Sequence, residues 1–411
     1  LMVIHPGSER KAAQIFKKWE LDFNIIGKVT DTKNIVLKSN NNIVADIPIE
    51  PLANGLIYDR PHKKIQLSLG KIRINTKNNW KSSLTKLLNQ PDLASKEWIW
   101  EQYDHMVMGD TIGFPGSESG VVRIHGSNKA IAVTTDCTPR YCANNAELGA
   151  CQAVVESYRN LCAVGSKPLA VTDCLNFGNP ENPYVMRQII DSIKGISVAC
   201  KALSMPVVAG NVSLYNETEG VPILPTPVIT AVGLINNVNT VITEAFQSED
   251  HIVILLGDQV YGKLSDLAGS EIISVFKGPL FGRQLVSLKL EQAVQNLCRK
   301  LIHNQLIESA HDCSDGGLLV AIVESCLSNM IGIEFDFNIK GNILAALFGE
   351  KQSRIIISAT REKVKDVQKL AEDSKVPYQI LGITFGKTIK NKDFEIDLNM
   401  IKNAWREGLT I

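Results

Sequence analysis

The chain of 411 residues lacks any excess of charge: Lys+Arg is 43 and Asp+Glu is 43. Proteins that work on nucleic acid or an anionic membrane usually carry a basic excess or patch, so both partners are disfavoured. It also lacks an apolar run near the roughly 20 residues of a membrane-spanning helix. Its longest runs, such as Ile252–Leu256, are of strand length. Nothing at the start reads as a signal peptide. The nine cysteines, at 137, 142, 151, 162, 174, 200, 298, 313 and 326, contain no Cys-x-x-Cys pair. That argues against a zinc site or a disulfide framework and fits reduced thiols in a cytoplasmic protein. Low-complexity segments and coiled-coil heptads are missing too.

What remains is ordinary globular composition, with 45% apolar and 21% charged residues. At about 150 residues per domain the length predicts two or three domains. Residues 1–31 and 354–386 share one pattern: apolar strand, polar turn, amphipathic helix, short link, apolar strand, glycine. Ile25-Ile26-Gly27 matches Ile380-Leu381-Gly382 at an offset at which Phe23 also meets Tyr378 and Ile15 meets Leu370. Either any two strand–helix–strand units look alike, or the chain derives from a tandem duplication whose first copy is mostly upstream of Leu1. The start on Leu, inside an expected strand, favours a piece of a longer protein.

The organisation expected is a tail of a first-half αβ domain over 1–50 and a connector over 51–103. An αβ domain over 104–236, a second over 237–395 and a tail over 396–411 follow. Strands are predicted at VVRI, AIAVTTD, PLAVTD, PVVAG, VITAVGLI, HIVILLGD and RIIIS. Helices are predicted over 147–164, 183–203, 292–308 and 318–327, from apolar residues at helical spacing.

Five stretches carry candidate chemistry. Gly109, Gly113, Gly116 and Gly120 make a loop that is either a turn or a backbone cradle for phosphate, although it matches neither GxxxxGK[ST] nor GxGxxG. Asp136 ends an apolar strand ahead of Pro139 and Arg140, where a carboxylate is placed to hold Mg²⁺ on a nucleotide. Cys137 reads as a plain small residue, since no His lies nearby in sequence. Asp173 ends a second strand. A third runs into Gly210, whose lack of a side chain lets backbone approach a ligand, then Asn211, a neutral oxygen donor, and Ser213, a hydroxyl. Asp136, Asp173 and Asn211 repeat one theme, an oxygen ligand at a strand end, and adjacent strands would gather them. In HDCSDGG (311–317), Ser314 or Asp315 is the expected N-cap of the next helix. His311 is a general base only if it has a partner.

The runs TTDCTPRYC, VTDCLNFGNPENP, VVAGNVSLYNET, ILPTPVI, HDCSDGGL and LFGEKQSR closely resemble the synthetase subunit of phosphoribosylformylglycinamidine synthase. That family is related to aminoimidazole ribonucleotide synthetase. The resemblance runs from Leu1 to about Gly386. It implies a mixed αβ fold (α+β or α/β), with aminoimidazole-ribonucleotide-synthetase-like N- and C-terminal domains, here the second half of a tandem duplication. It implies ATP-dependent conversion of formylglycinamide ribonucleotide to its amidine through an iminophosphate, with ammonia from a glutaminase subunit.

By the same resemblance Asp173 and Gly210 contact ATP, Asn211 and Asp136 bind Mg²⁺, and Ser213 contacts substrate. The implied cofactors are ATP and Mg²⁺. The implied partners are the glutaminase, a small accessory subunit and the missing first half. The family's first-half catalytic histidines and Glu-Ser-His-Asn-His run have no match here. The glycine loop also departs, with Gly116-Ser117-Glu118-Ser119-Gly120 where the family commonly has Gly-Gly-Asp-Ala-Ala. Two rivals stay open. In one the chain is a catalytically incomplete module holding ADP–Mg²⁺. In the other it is a stand-alone synthetase that would need His105 or His125.

Overall fold

A computed structural model describes residues 1–55, 57–64, 80–276, 285–335, 339–391 and 394–409. The part of the expected connector at 65–79 lies outside the described residues. The chain divides into two compact units, Leu1–Asp59 and Arg60–Ile411.

The first unit has a helix α1 (Glu9–Lys18), an antiparallel hairpin of β1 (Asn34–Ser39) and β2 (Asn42–Pro48), and a short α2 (Ile49–Ala53). The two strands expected on either side of α1 do not form. A strand needs a neighbour for its N–H and C=O groups, and the hairpin strands pair with each other. Ile25, Ile26 and Val29 are accordingly exposed.

In the second unit come α3 (Trp80–Leu88) and α4 (Glu97–Trp100), then β3 (Thr111–Gly113), β4 (Gly120–Arg123) and β5 (Ala130–Asp136). Next are α5 (Pro139–Asn144), α6 (Ala146–Ala163), β6 (Lys167–Asn176), α7 (Pro183–Leu203) and β7 (Val207–Ser213). A small hairpin of β8 (Glu217–Thr218) and β9 (Val221–Pro222) precedes β10 (Thr226–Ile235). One sheet has the order β3-β4-β5-β10-β6-β7, in which only β6 and β7 run parallel. Along β10 buried residues alternate with partly exposed ones, so the sheet packs one face and leaves the other open.

The chain then forms β11 (Ile252–Gly257), β12 (Tyr261–Gly262), α8 (Glu271–Val275), α9 (Leu288–His303) and β13 (Ser309–Asp312). It continues through α10 (Gly317–Leu327), β14 (Ile333–Phe335), β15 (Lys340–Gly341), α11 (Ile343–Phe348) and β16 (Arg354–Ala359). Last are α12 (Val364–Asp373), β17 (Tyr378–Thr384), β18 (Thr388–Asn391), β19 (Phe394–Asp397) and α13 (Leu398–Glu407). The second sheet has the order β13-β16-β11-β17-β14-β18-β19. Every residue of β16 is buried. Ile356 enters one core and Ile355 and Ile357 the opposite one, so this sheet is covered on both faces.

The predicted strands and the helices over 147–164 and 183–203 correspond to β4, β5, β6, β7, β10, β11, β16, α6 and α7 within a few residues. The helix predicted over 292–308 starts earlier, at Leu288, where Ser287 caps it. Leu84, Leu87, Leu88 and Leu93 are buried in the core of the second sheet together with Leu398 and Ile401. The Trp405 indole donates to the Leu93 carbonyl at 3.0 Å. The later part of the expected connector is thus packed against the C-terminal helix, because its leucines at helical spacing find a hydrophobic wall. No described helix is long and apolar enough to cross a membrane.

Helix α6 is buried almost all round. It touches β5 and β10 on one side, α7 on another, and α9 and β13 of the second domain. Its close approach to α7 depends on Gly195: a Cβ there would sit 2.0 Å from the Glu147 carbonyl oxygen. Gly195→Ala is therefore expected to destabilise the second unit by about 1–3 kcal/mol. Gly27→Ala, with open space around it, should change nothing; urea unfolding of both variants checks this.

Candidate functional site

The strand ends do not gather in the way adjacent strands would. Asp136 on β5 and Asp173 on β6 both stand opposite Ile229, because β10 lies between them. Two strand spacings separate them, about 10 Å. Opposite residues share a face, so both carboxylates point to the side of the sheet on which Ile229 is fully buried, although at the β7 edge that side is exposed. Gly210 is beside Asp173 in the β6–β7 ladder. A Cβ on Gly210 would meet Asp173 Oδ1 at 2.7 Å. The glycine thus makes room for that carboxylate, which burial pushes upward in pKa.

Asn211 faces the other way, since successive strand residues alternate. It pairs with Cys174, and its Nδ2 lies 3.6 Å from Cys174 Sγ. Ser213 is on that same open face, opposite Asn176, and its Oγ donates to Asn216 Oδ1 at 3.3 Å. The structure therefore unites Asn211 with Ser213, and Asp173 with Gly210, on opposite sides of one parallel strand pair. A single ion cannot be shared by Asp136 and Asn211. Nothing among the described residues donates a hydrogen bond to Asn211 Oδ1. That free carbonyl oxygen fits a hard cation such as Mg²⁺.

Asp136 sits in a second, enclosed oxygen-rich group. Its carboxylate accepts from Thr134 Oγ1 at 3.0 Å and Asn160 Nδ2 at 2.8 Å. Its pKa is pushed up to about 7, first by burial, against a hydrogen bond from Ser157, and further by Asp312. Glu156 is raised well above the usual range by burial and then by Asp136 and Asp312. Asn160 Oδ1 is buried with no partner. This donor set, all oxygen and short of positive charge, also fits a hard divalent ion.

The positive charge present is Arg159, one turn along α6 and 0% exposed. Its Nη1 donates to Glu291 Oε1 and to Gln352 Oε1, both at 2.9 Å, and its Nε to Asp312 Oδ2 at 3.3 Å. Glu291 is itself fully buried and accepts from Ser353 Oγ and Gln295 Nε2, each at 2.9 Å. One guanidinium from the first domain thus joins α9, the end of β13 and the turn before β16 in the second.

Two further polar chains cross the same seam. Arg140 pairs with Glu271, with Asp315 at 3.3 Å and with Glu350 at 3.7 Å. Glu350 also accepts from Tyr141 Oη, from the Glu271 N–H at 2.7 Å and from the Gly316 N–H at 2.8 Å. His311 is held between two carboxylates, Glu118 at Nδ1 and Glu324 at Nε2, the latter at 3.1 Å. Burial would lower its pKa, but the two glutamates outweigh that and raise it well above the usual value. The donor atoms of Glu118, His311 and Asp312 lie within 4.8 Å of one another. With both ring nitrogens already facing carboxylates, the group reads as an ion-paired chain.

His311 thus has the partners that no sequence reading could supply. The glycine loop is pinned to the second domain by Glu118, whose other oxygen accepts from the Asp312 N–H at 3.4 Å. The expected cap is different: the N-cap of α10 is Gly316, with φ of 79°. Ser314 bonds back to Asp312 at 3.1 Å, and Asp315 is spent on Arg140. Glu118, Glu156, Arg159, Glu291 and Glu350 were all missed. For Glu156 and Arg159 the available signal was charge inside a small, apolar helix, AVVESYRNLCA, where a solvated face would not be so apolar.

Removing Arg159 leaves Glu291 and Asp312 buried without a counter-charge. Arg159→Met is expected to cost about 3–5 kcal/mol, read by denaturant unfolding. Burial also pushes Glu271 up to about 7 and Glu350 up to about 8, against the nearby Arg140. Folded carboxyls that keep protons the unfolded chain has lost above about pH 4.5 make stability fall as pH rises. The thermal midpoint should therefore decline from pH 6 to pH 8.5, and a rise over that range would contradict the assignment.

Residues 116–235 match the family description "AIR synthase related protein, N-terminal domain", and residues 248–390 match "AIR synthase related protein, C-terminal domain". Over 98% of its length the chain is 42% identical to the phosphoribosylformylglycinamidine synthase subunit PurL of Zymomonas mobilis, covering 55% of that protein. It is 40% identical over 99% of its length to the subunit of that name from Caldanaerobacter subterraneus, covering 56% of it. The chain thus spans about half the length of the curated relatives it matches. Among solved structures, T. maritima PurL complexed with ATP aligns with a TM-score of 0.62 at 22% identity, over 94% of this chain and 54% of that one. T. maritima PurL complexed with FGAR aligns with a TM-score of 0.63 at 16% identity, over 78% and 53%. At these identities the structural likeness speaks to the fold.

Proposed function

The chain belongs to the AIR synthase-related family, and from that premise we propose that it is the second-half portion of a phosphoribosylformylglycinamidine synthase synthetase subunit. In this reading ATP phosphorylates the amide oxygen of formylglycinamide ribonucleotide. Ammonia then displaces phosphate from the iminophosphate to give the amidine. The observation that carries the reading is the two-sided strand pair, Asp173 with Gly210 and Asn211 with Ser213, within a chain 42% identical to a relative of that name.

Phosphoryl transfer leaves a protein mainly with positioning and charge neutralisation. β7 is the edge strand of its sheet, and both Gly210 and Asn211 are exposed. A nucleotide lying along that edge would meet the Gly210 backbone beside Asp173 and, through its phosphates, a Mg²⁺ held by Asn211 Oδ1. Ser213 offers its hydroxyl to the ribonucleotide. Asp136, with Asn160 and Glu156, would hold a separate ion. No His of this chain takes a catalytic role in the proposal: His311 is committed to Glu118 and Glu324.

The partners follow from the same reading. The open face of the first sheet carries Val122, Ile131 and Val133 at 49, 42 and 40% exposure. A contiguous apolar face of this kind marks an interaction surface, and the twin domain of the first half is the partner assigned to it. A glutaminase subunit supplies ammonia, a small accessory subunit completes the complex, and the compartment is the cytoplasm. The net charge of zero leaves nucleic acid out.

A second reading is favoured by the burial of the Asp136 group: the chain holds ADP–Mg²⁺ there without turnover. The two separate in one assay. Release of ADP by the native protein should depend on formylglycinamide ribonucleotide, and Ser213→Ala and Asn211→Ala should each lower its rate at least tenfold, about 1.4 kcal/mol, with unchanged thermal midpoints. Bound ADP with no substrate dependence would support the second reading and sink the first.

A further inference from the structure

The contact between Asn211 and Cys174 bears on how a metal ligand is oriented. An asparagine side chain ligates a cation only through Oδ1; Nδ2 is a donor and repels it. Asn211 is exposed on β7, so its own surroundings give little to choose between the two orientations of the amide. Cys174 breaks that tie. Its Sγ lies 3.6 Å from Asn211 Nδ2.

The sulfur is fixed as an acceptor by its other neighbour. Asn176 Nδ2 also lies 3.6 Å from the same Sγ. That amide is itself locked as a donor by the Cys174 carbonyl at 3.0 Å and the Thr226 carbonyl at 3.4 Å. Cys174 cannot drift, because β6 is laddered on both sides, to Val228 of β10 and to Asn211 of β7.

Resting on the reading that Asn211 holds Mg²⁺, we infer that Cys174 is a positioning residue that turns the Asn211 carbonyl oxygen outward to meet the cation. The sulfur does not touch metal, nucleotide or substrate. It accepts the amide hydrogen, and the opposite end of the same amide is thereby aimed. Partners of this kind typically set metal affinity by about 10- to 100-fold.

The test is a double-substitution cycle on the native protein, titrated calorimetrically with ADP in the presence of Mg²⁺ and again with EDTA. Cys174→Ala is expected to weaken the Mg²⁺-dependent part of ADP binding about tenfold and leave the EDTA value unchanged. Cys174→Ser, which keeps an acceptor, should retain most of the affinity. Asn211→Asp has two equivalent oxygens and needs no orienting. In that background Cys174→Ala should have no effect, whereas a merely structural cysteine would cost the same in both.

Equal losses in both backgrounds, or a loss that persists in EDTA, would overturn the orienting role. If Asn211→Ala abolishes the Mg²⁺-dependent increment while Cys174→Ala leaves it intact, the inference alone fails. If Asn211→Ala leaves the increment intact, the metal-ligand reading fails and takes the inference with it.

Discussion

A fully buried guanidinium is costly unless its partners are fixed, and Arg159 organises the second unit through that requirement. It sits on α6, which packs against the first sheet and against α9 and β13. Its acceptors, Glu291, Asp312 and Gln352, all come from the second domain. Hydrophobic contacts alone would tolerate a sliding of one domain on the other; directional bonds to a charge with no access to water do not. Arg140 and His311 repeat the arrangement at two more points of the seam. The result is a seam between the two domains fixed by buried charge at three points.

Within the first sheet one parallel strand pair presents two distinct sides. Its ladder puts Gly210 against Asp173 on one side and Asn211 against Cys174 on the other, and as the edge strand β7 is exposed on both. Alternation along β7 thus separates the Asp173–Gly210 side from the Asn211–Ser213 side, within residues consecutive in sequence. The open face also carries the exposed Val122, Ile131 and Val133.

Much of this was legible in the sequence, and the failures have physical causes. β6, β7 and β10 announce themselves because apolar runs end at polar residues, and α6 and α7 because small and apolar residues recur at helical spacing. Gly210 was expected to let backbone approach a ligand; in the structure the group it makes room for is the neighbouring Asp173 carboxylate. Strand order was not legible: β10 inserts between β5 and β6 from far along the chain, and so parts Asp136 from Asp173. The strands expected around α1 failed for want of an edge to pair with. The seam charges were hidden because ion pairs such as Arg159–Glu291 join residues remote in sequence, and no local pattern records them.

The most direct test of the account is a structure of the native protein with Mg²⁺, a non-hydrolysable ATP analogue and formylglycinamide ribonucleotide. The account predicts the cation on Asn211 Oδ1, the nucleotide against Gly210 and Asp173, and the ribonucleotide within hydrogen-bond reach of Ser213 Oγ. Ligands found only against the buried Asp136 group, with the open face of β6 and β7 covered by protein alone, would contradict it.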